Sequence, residues 1–395
     1  MKSYDVIIVG GGPVGSYVAY QLAGRGYNVA VVEQKAALGD KICCAGIISP
    51  RCVDSFALGE DIILRRVNSA KLFSPSGGLL RVWRPETQAC IIDRAGLDAS
   101  LAKQAQNRGV AYWLGSLVSS ITVSDEGVKI EAVRQGERLD FKAKALVIAT
   151  GFGSDLPQQL GLGKAGDSVM GGQVEVTAEG VEEVEVYFGR EVAPGFFGWL
   201  VPTSPGKALV GLLSRRSPEL YLQKLLLSLE AQGKIVSVGA KPGYRGILLK
   251  PPARTYGDRL LVVGGAAGQV KPTTGGGIYY GLLCADIAVD TLHQALGRGD
   301  LSARSLAGYE KGWRRRLGRE LRTGYWARKL YEHMSDAQID RAFDIIKSRG
   351  IDDALLKAED MSFDWHGEVI LRLVGHQLLA RAIGVAKIPF RSRQS

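Results

Sequence analysis

An apolar run, Val6-Ile7-Ile8-Val9, passes directly into Gly10-Gly11-Gly12-Pro13-Val14-Gly15, and this junction constrains the fold more tightly than any other stretch. Four β-favouring residues in a row predict a buried parallel strand, and Ser16 to Gly24 place apolar residues at helical spacing. The glycines therefore link a strand to a helix. In that setting Gly10 makes the tight turn, Gly12 lets backbone approach a pyrophosphate, and Gly15 lets helix and strand pack closely. The helix start adds free N–H groups and a positive dipole end for the phosphates. The next strand, Asn28 to Val32, ends at Glu33, 18 residues beyond Gly15 and at the spacing of a ribose-binding acid. A carboxylate there accepts a free 2′-hydroxyl and repels a 2′-phosphate, which points to FAD or NAD and away from NADP.

Further along, Ala36 to Pro50 reads as a loop of small residues carrying two adjacent thiols, Cys43 and Cys44, and is expected beside the cofactor. As a plain alternative, either thiol serves as a small buried hydrophobe. Ala70–Phe73 and Leu79–Trp83 bracket Pro75-Ser76-Gly77-Gly78 as a hairpin, and Asp93-Arg94 opens a helix with Leu97, Leu101 and Ala105 at core spacing. Three alternating runs follow, Val110–Leu114, Leu117–Val123 and Val128–Val133, before the apolar strand Ala145–Ala149 closes on Thr150-Gly151. A β-meander interrupting a nucleotide domain favours FAD over NAD, because a simple NAD domain repeats strand and helix.

Val169–Val192 and Ala208–Leu213 predict a second sheet. Between them, Pro194 to Pro202 is dense in aromatics; its two prolines are expected to keep it at a turn or an edge, and its rings line a ligand channel or pack in the core. Pro218–Gln232 reads as a helix on that sheet. Arg259–Val263 returns to the nucleotide domain and enters Gly264–Ile278, a second backbone cradle ahead of a helix from Tyr279 to about Leu296. From Ser302 the pattern is helical, with breaks expected at Gly350 and Gly367. With 395 residues the chain accommodates an FAD-binding domain (1–66, 90–165 and 255–300), a substrate-binding β-sheet domain (67–89 and 166–254) and a helical region (301–395).

Five cysteines without CxxC spacing fit reduced thiols, and no metal site or nucleic-acid partner is expected. No run of 18 apolar residues reads as a membrane span, and Met1 leads straight into the first strand, so a cytoplasmic protein is expected. The net charge of +10 is uneven: Lys311 to Lys329 carries eight basic residues against Glu320 alone, with Trp313, Tyr325 and Trp326 interleaved. That helix suits either an anionic membrane surface, placing the protein on the inner face of the cell membrane, or plain solvation.

Taken in order, these residues resemble the flavin-dependent geranylgeranyl reductase family, within the p-hydroxybenzoate hydroxylase-like flavoproteins. The resemblance implies an α/β fold: a Rossmann-like FAD domain with an inserted β-meander, an antiparallel-sheet substrate domain and a helical C-terminal region. It implies FAD contacts at Gly10, Gly12, Val14, Gly15, Glu33, Gln34, Ala45, Arg94, Val118, Gly265, Gly268, Gly277 and Ile278. Cys44 in the cysteine loop is implied as the residue aiding proton delivery or shaping the pocket floor, with Cys43 second. Pro194, Phe197, Trp199 and Pro202 match the substrate motif P-x-x-Y-x-W-x-F-P. The chain departs from the family at Gly265, where an Asp is usual, and at Phe197, where a Tyr is usual; the substrate motif is also one residue longer. Gly151-Phe152-Gly153-Ser154 lacks the Asp-Gly of the hydroxylases. The implied activity is reduction of carbon-carbon double bonds in an isoprenoid lipid, with NAD(P)H or a ferredoxin as electron source. Rival readings are an FAD-dependent monooxygenase or halogenase, and a lipid carrier of the same fold without redox chemistry.

Overall fold

A computed structural model describes residues 1–40, 42–164, 166–348 and 362–375. The expected break at Gly350 lies outside the described residues. Strand Lys2–Val9 is the centre of a parallel sheet, flanked by Val29–Val32 on one side and the long strand Glu137–Ile148 on the other, with Leu260–Val262 beyond it. Its residues Val6 to Val9 are buried on both faces, as a run with no polar alternation requires. Helices Pro13–Ala23, Arg94–Asn107 and Ile278–Arg298 cover one face; Val18, Leu22, Leu97, Leu101, Leu282 and Val289 meet in their common core. The meander lies on the opposite face, contributing Val128, Ile130 and Phe141 to a second core.

The meander departs from the expected assignment. Ala111–Trp113, within the first of the three runs, pairs in parallel with Val29–Val32 and belongs to the main sheet. Its place in the meander is taken by the front half of Glu137–Ile148, where Phe141 pairs with Ile130. Leu139, Phe141 and Ala143 alternate with polar residues, and Ala145–Ile148 do not. One strand thus passes from a half-exposed sheet into a fully buried one, and only its second half stands out in the sequence as an apolar run.

The second sheet runs in the order Ile235–Val238, Ser168–Ala178, Lys207–Ser214, Phe197–Ser204, Val184–Phe188, Ser69–Phe73 and Leu79–Trp83, with Gly243–Leu248 also pairing along Ser168–Ala178. Helix Pro218–Ala231 packs Leu222, Leu225 and Leu229 against one face, over Val174, Leu200, Val210 and Leu212. Contrary to expectation, the second proline of the aromatic segment is neither at a turn nor on an edge strand. Phe197–Ser204 is an interior strand and contains Pro202. The neighbour Val184–Phe188 pairs no further than Leu200, and the register with Lys207–Ser214 slips between Pro202 and Ser204, so the missing N–H falls beside a bulge and past the stretch paired with Val184–Phe188.

Helix Ala303–His333 carries the basic run. Lys311, Arg314, Arg315, Arg316, Arg319 and Arg322 are exposed. The interleaved aromatics do not share that face. Trp313 is buried and donates its N–H to Thr255 at 2.9 Å, Tyr325 donates to Asp167 at 2.9 Å, and Trp326 alone of the three stands out, 67% exposed. Arg328 is buried with its guanidinium 3.7 Å from the Phe196 ring centroid. Gly367, expected as a break, starts the helix Gly367–Gly375, whose first N–H groups are taken by Glu320. Among the described residues no helix is long and apolar enough to cross a membrane.

Candidate active site

One cavity of about 1210 Å³ runs from the first glycine turn, past the cysteine loop, to the inner face of the second sheet. That exceeds the roughly 300–1,000 Å³ of a single small-ligand pocket. At the nucleotide end, a Cβ on Gly10 would lie 2.5 Å from the Ala149 carbonyl oxygen and one on Gly15 would lie 2.0 Å from that of Gly10. Both positions demand glycine for packing. A Cβ on Gly12 would meet nothing within 4 Å, so that glycine keeps the approach to the helix start open. Helices Pro13–Ala23 and Ile278–Arg298 both begin at this cavity, behind Gly12 and Gly277, and neither has a side-chain cap. Their first N–H groups are left for a ligand. The buried Glu33 carboxylate accepts from Gly11 N–H at 2.6 Å and Lys35 N–H at 2.9 Å, which fixes it at the strand end where a ribose would lie. This donor set fits an extended dinucleotide such as FAD.

At the other end, strand pairing lays the cavity floor in rows. Leu72, Val186, Trp199, Gly211, Gln173 and Gly243 are successive cross-strand neighbours. Phe188 faces Phe197 two residues along, and Gly171 lies between Leu213 and Arg245. The floor is apolar at the Leu72 and Phe188 side and polar toward Gln173 and Arg245. The period of two explains the aromatic segment: Phe197 and Trp199 line the cavity while Leu200 points into the core under the sheet. Phe196, just before the strand, is buried beneath Arg328. Gly211 is required because the Trp199 indole lies across it, 2.5 Å from where a Cβ would stand.

The cysteine loop closes over the polar part of the floor. Gln173 donates its amide to the Cys44 carbonyl at 3.2 Å, and the Cys43 thiol donates to the Gly243 carbonyl at 3.4 Å. Burial pushes the Cys43 thiol up to about 11, despite the nearby Arg245 cation. The Cys44 sulfur accepts from Gly46 N–H at 3.5 Å and lies beside Arg94. Arg94 forks onto the Asp98 carboxylate at 2.8 and 3.2 Å. Burial pulls the Arg94 guanidinium down, and Asp98 and Cys44 more than offset it, holding it above its ordinary value. Its Nε is buried without a hydrogen-bond partner among the described residues, at the cavity wall.

A clasp from the C-terminal segment seals the second cradle. Lys271 donates to Asp364 at 2.9 Å and to the Phe363 carbonyl at 2.8 Å, Asp364 also accepts from Ser49, and Thr273 bonds His366 at 2.6 Å. Lys271 and Phe363 both border the cavity.

Of the residues singled out in the sequence, Gly10, Gly12, Val14, Glu33, Gln34, Cys43, Cys44, Ala45, Arg94, Val118, Phe197, Trp199, Gly265, Gly277 and Ile278 line this one cavity. Gly15 and Gly268 stand behind its wall; a Cβ on Gly268 would lie 2.8 Å from Pro251. Pro194 and Pro202 do not border it. Pro194 offers its carbonyl to Arg215 N–H in the preceding turn, and Pro202 pairs with Ala208 beside the register slip. Sequence reasoning missed Gln173, Arg245, Lys271 and Phe363 as wall residues. The Val169 to Val192 run was legible as strand, but which face of it meets the cysteine loop was not.

The pyridine nucleotide-disulphide oxidoreductase family matches residues 4–181. Digeranylgeranylglycerophospholipid reductase 2 of Methanothermobacter thermautotrophicus is 31% identical over 351 residues, covering 85% of this chain and 90% of its own. Among solved structures, a geranylgeranyl bacteriochlorophyll reductase-like protein from Thermoplasma acidophilum superposes with a TM-score of 0.84 at 22% identity, covering 96% of this chain and 98% of the other. The flavin-dependent brominase Bmp2 shares the fold at a TM-score of 0.70 and 14% identity, covering 96% of this chain and 100% of its own.

Proposed function

The chain belongs to the flavin-dependent geranylgeranyl reductase family, and from that premise we propose that it saturates carbon-carbon double bonds in the geranylgeranyl chains of a lipid or lipid precursor. The observation that carries this reading is the apolar floor of Leu72, Val186, Phe188, Phe197 and Trp199, continuous with the nucleotide cradle in one cavity. A brominase or monooxygenase reading draws on a shared fold alone, and fold does not fix chemistry. Segments 1–66, 90–165 and 255–300 hold FAD in this reading, and 67–89 with 166–254 hold the tail.

FAD held between the two cradles would, once reduced, supply a hydride. An isolated alkene has no carbonyl to spread negative charge, so the protein must deliver a proton to one carbon as hydride reaches the other. Cys44 is positioned to deliver it, because its sulfur sits in the cavity wall beside Arg94 and Gln173 pins its carbonyl. Phe197 and Trp199 hold the tail in register and exclude water. Electrons enter from NAD(P)H or a ferredoxin. Anaerobic incubation with dithionite and a panel of prenyl lipids, read by mass, tests the reading: products heavier by pairs of hydrogens are expected. Unchanged masses with fully reduced flavin would overturn it.

A long isoprenoid reaches the protein from a bilayer. Lys311, Arg315, Arg319, Arg322 and Trp326 recur at helical spacing on one exposed face, which supports docking on an anionic leaflet. Flotation with anionic liposomes at low salt should carry the protein upward, and neutral liposomes or high salt should not. Equal recovery in all conditions would leave the face as solvated surface.

A further inference from the structure

Among the described residues four basic ones border the cavity, and three have partners. Lys35 donates to the Asp40 carbonyl, Arg94 forks onto Asp98, and Lys271 pairs with Asp364. Arg245 is the remaining one, and among the described residues its guanidinium has no hydrogen-bond or carboxylate partner. Arg245 is half-buried at the cavity wall without a counter-charge, which leaves its fork of N–H donors to meet an anionic ligand.

Its position says which part of a ligand it meets. Arg245 stands on strand Gly243–Leu248 of the second sheet and reaches across to the nucleotide domain, where its Nη2 lies 2.7 Å from the point a Cβ on Gly151 would occupy. Gly151 adopts φ +71° and follows the strand whose Ala149 carbonyl packs on Gly10. On its other side, the Cβ position of Gly265 is 3.4 Å from the Gly151 Cα. Gly151 therefore lies between the two cradles, with the guanidinium standing over it. Neither Gly151 nor Gly265 carries a side chain that could meet it. The cross-strand neighbour of Arg245 is Gly171, which brings no side chain of its own to the guanidinium.

We propose that Arg245 is a phosphate-binding residue, taking the pyrophosphate of FAD from the sheet side while the helix start behind Gly12 takes it from the nucleotide side. The planar fork of arginine suits two phosphate oxygens at once. The proposal rests on the flavoprotein reading. The same chemistry has a second source in the phosphate of a lipid substrate, and the experiment separates the two.

The deflavinated full-length protein is titrated with FAD and with riboflavin, following flavin fluorescence, as wild type, Arg245→Gln, Arg245→Lys and Lys241→Gln, the last in the link just before the same strand but outside the cavity. Arg245→Gln is expected to weaken FAD binding about tenfold or more at low salt. The gap should narrow at high salt, Arg245→Lys should fall between, and Lys241→Gln should match wild type. Riboflavin, which lacks phosphate, should bind wild type and Arg245→Gln alike. If FAD affinity is unchanged but KM rises about tenfold for a phosphorylated prenyl lipid and not for the neutral prenyl alcohol, the phosphate is the lipid's. Unchanged values in both arms would overturn the role of Arg245. Wild-type protein that binds no FAD would instead overturn the flavoprotein premise, and the proposal with it. Circular dichroism and melting temperature on each variant establish that the sheet is intact.

Discussion

The Lys271–Asp364 pair offers a sharp test of how the C-terminal clasp is held. Both side chains are buried, 7% and 1% exposed, with nitrogen and oxygen 2.9 Å apart. At an effective dielectric of about 20 their attraction is about 6 kcal/mol, and burial pulls Lys271 below its ordinary pKa, so the cation depends on its partner. Asp364→Asn removes the charge and leaves the shape. Lys271 then escapes by losing its proton, which caps the cost at pH 7 at about 4.6 kcal/mol for a lysine with an unfolded pKa near 10.4. A loss of about 3–5 kcal/mol is expected. The pH dependence has a definite sign. The unfolded variant binds a proton at Lys271 that the folded variant lacks, so its stability rises with pH, and by pH 9 the ceiling falls to about 1.9 kcal/mol. Urea unfolding followed by circular dichroism at pH 7 and pH 9, with FAD at one fixed saturating concentration, measures both values. A penalty under about 1 kcal/mol, or one that stays flat between the two pH values, would refute the reasoning. Lys271→Met combined with Asp364→Leu should recover most of the loss, because an apolar pair leaves no stranded charge.

Other outcomes follow from the same geometry. Cys44→Ala should retain bound flavin and lose alkene reduction by about 10²- to 10⁴-fold in single-turnover assays; full activity would remove the cysteine from the chemistry. Gly265→Asp has room, its Cβ meeting only Gly151 Cα at 3.4 Å, and should tighten FAD binding about tenfold by adding an acceptor for the ribityl chain; titration of the deflavinated protein reads this. Gly15→Ala must displace the Gly10 carbonyl, 2.0 Å from the new methyl, and should abolish soluble flavin-loaded protein, as absorbance of the purified fraction will show. Burial holds His366 down to about 4, with the Lys271 cation adding to the shift. The folded state therefore resists a proton that the unfolded chain accepts near 6.5, and stability is lost as pH falls from about 6.5 toward 4. Hydrogen exchange in residues 362–375 should accelerate across that window, and His366→Gln should flatten the change.

Local sequence decided a great deal here. The run Val6–Val9 with Gly10, Gly12 and Gly15 specified strand, turn and helix because each residue answers a constraint met within a few positions: burial on both faces, a positive φ, or contact too close for a Cβ. Glu33 was legible for the same reason, its distance from the turn being set by one helix and one strand. The aromatic segment shows where local information ends. Alternation places Phe197 and Trp199 on one face and Leu200 on the other, but only the pairing of distant strands decides which face is the cavity. Pro202 sits in an interior strand against expectation, because the sequence carries no sign of where the neighbouring strand stops. Arg245, Gln173, Lys271 and Phe363 owe their positions to contacts across 90 residues or more: Gln173 meets Cys44, Lys271 meets Asp364, and Arg245 stands over Gly151. Nothing in the residues around them fixes such a meeting, since it depends on how the two sheets and the C-terminal segment pack together. The glycine-turn end of the site is thus written locally, and its far walls exist only once the chain has folded.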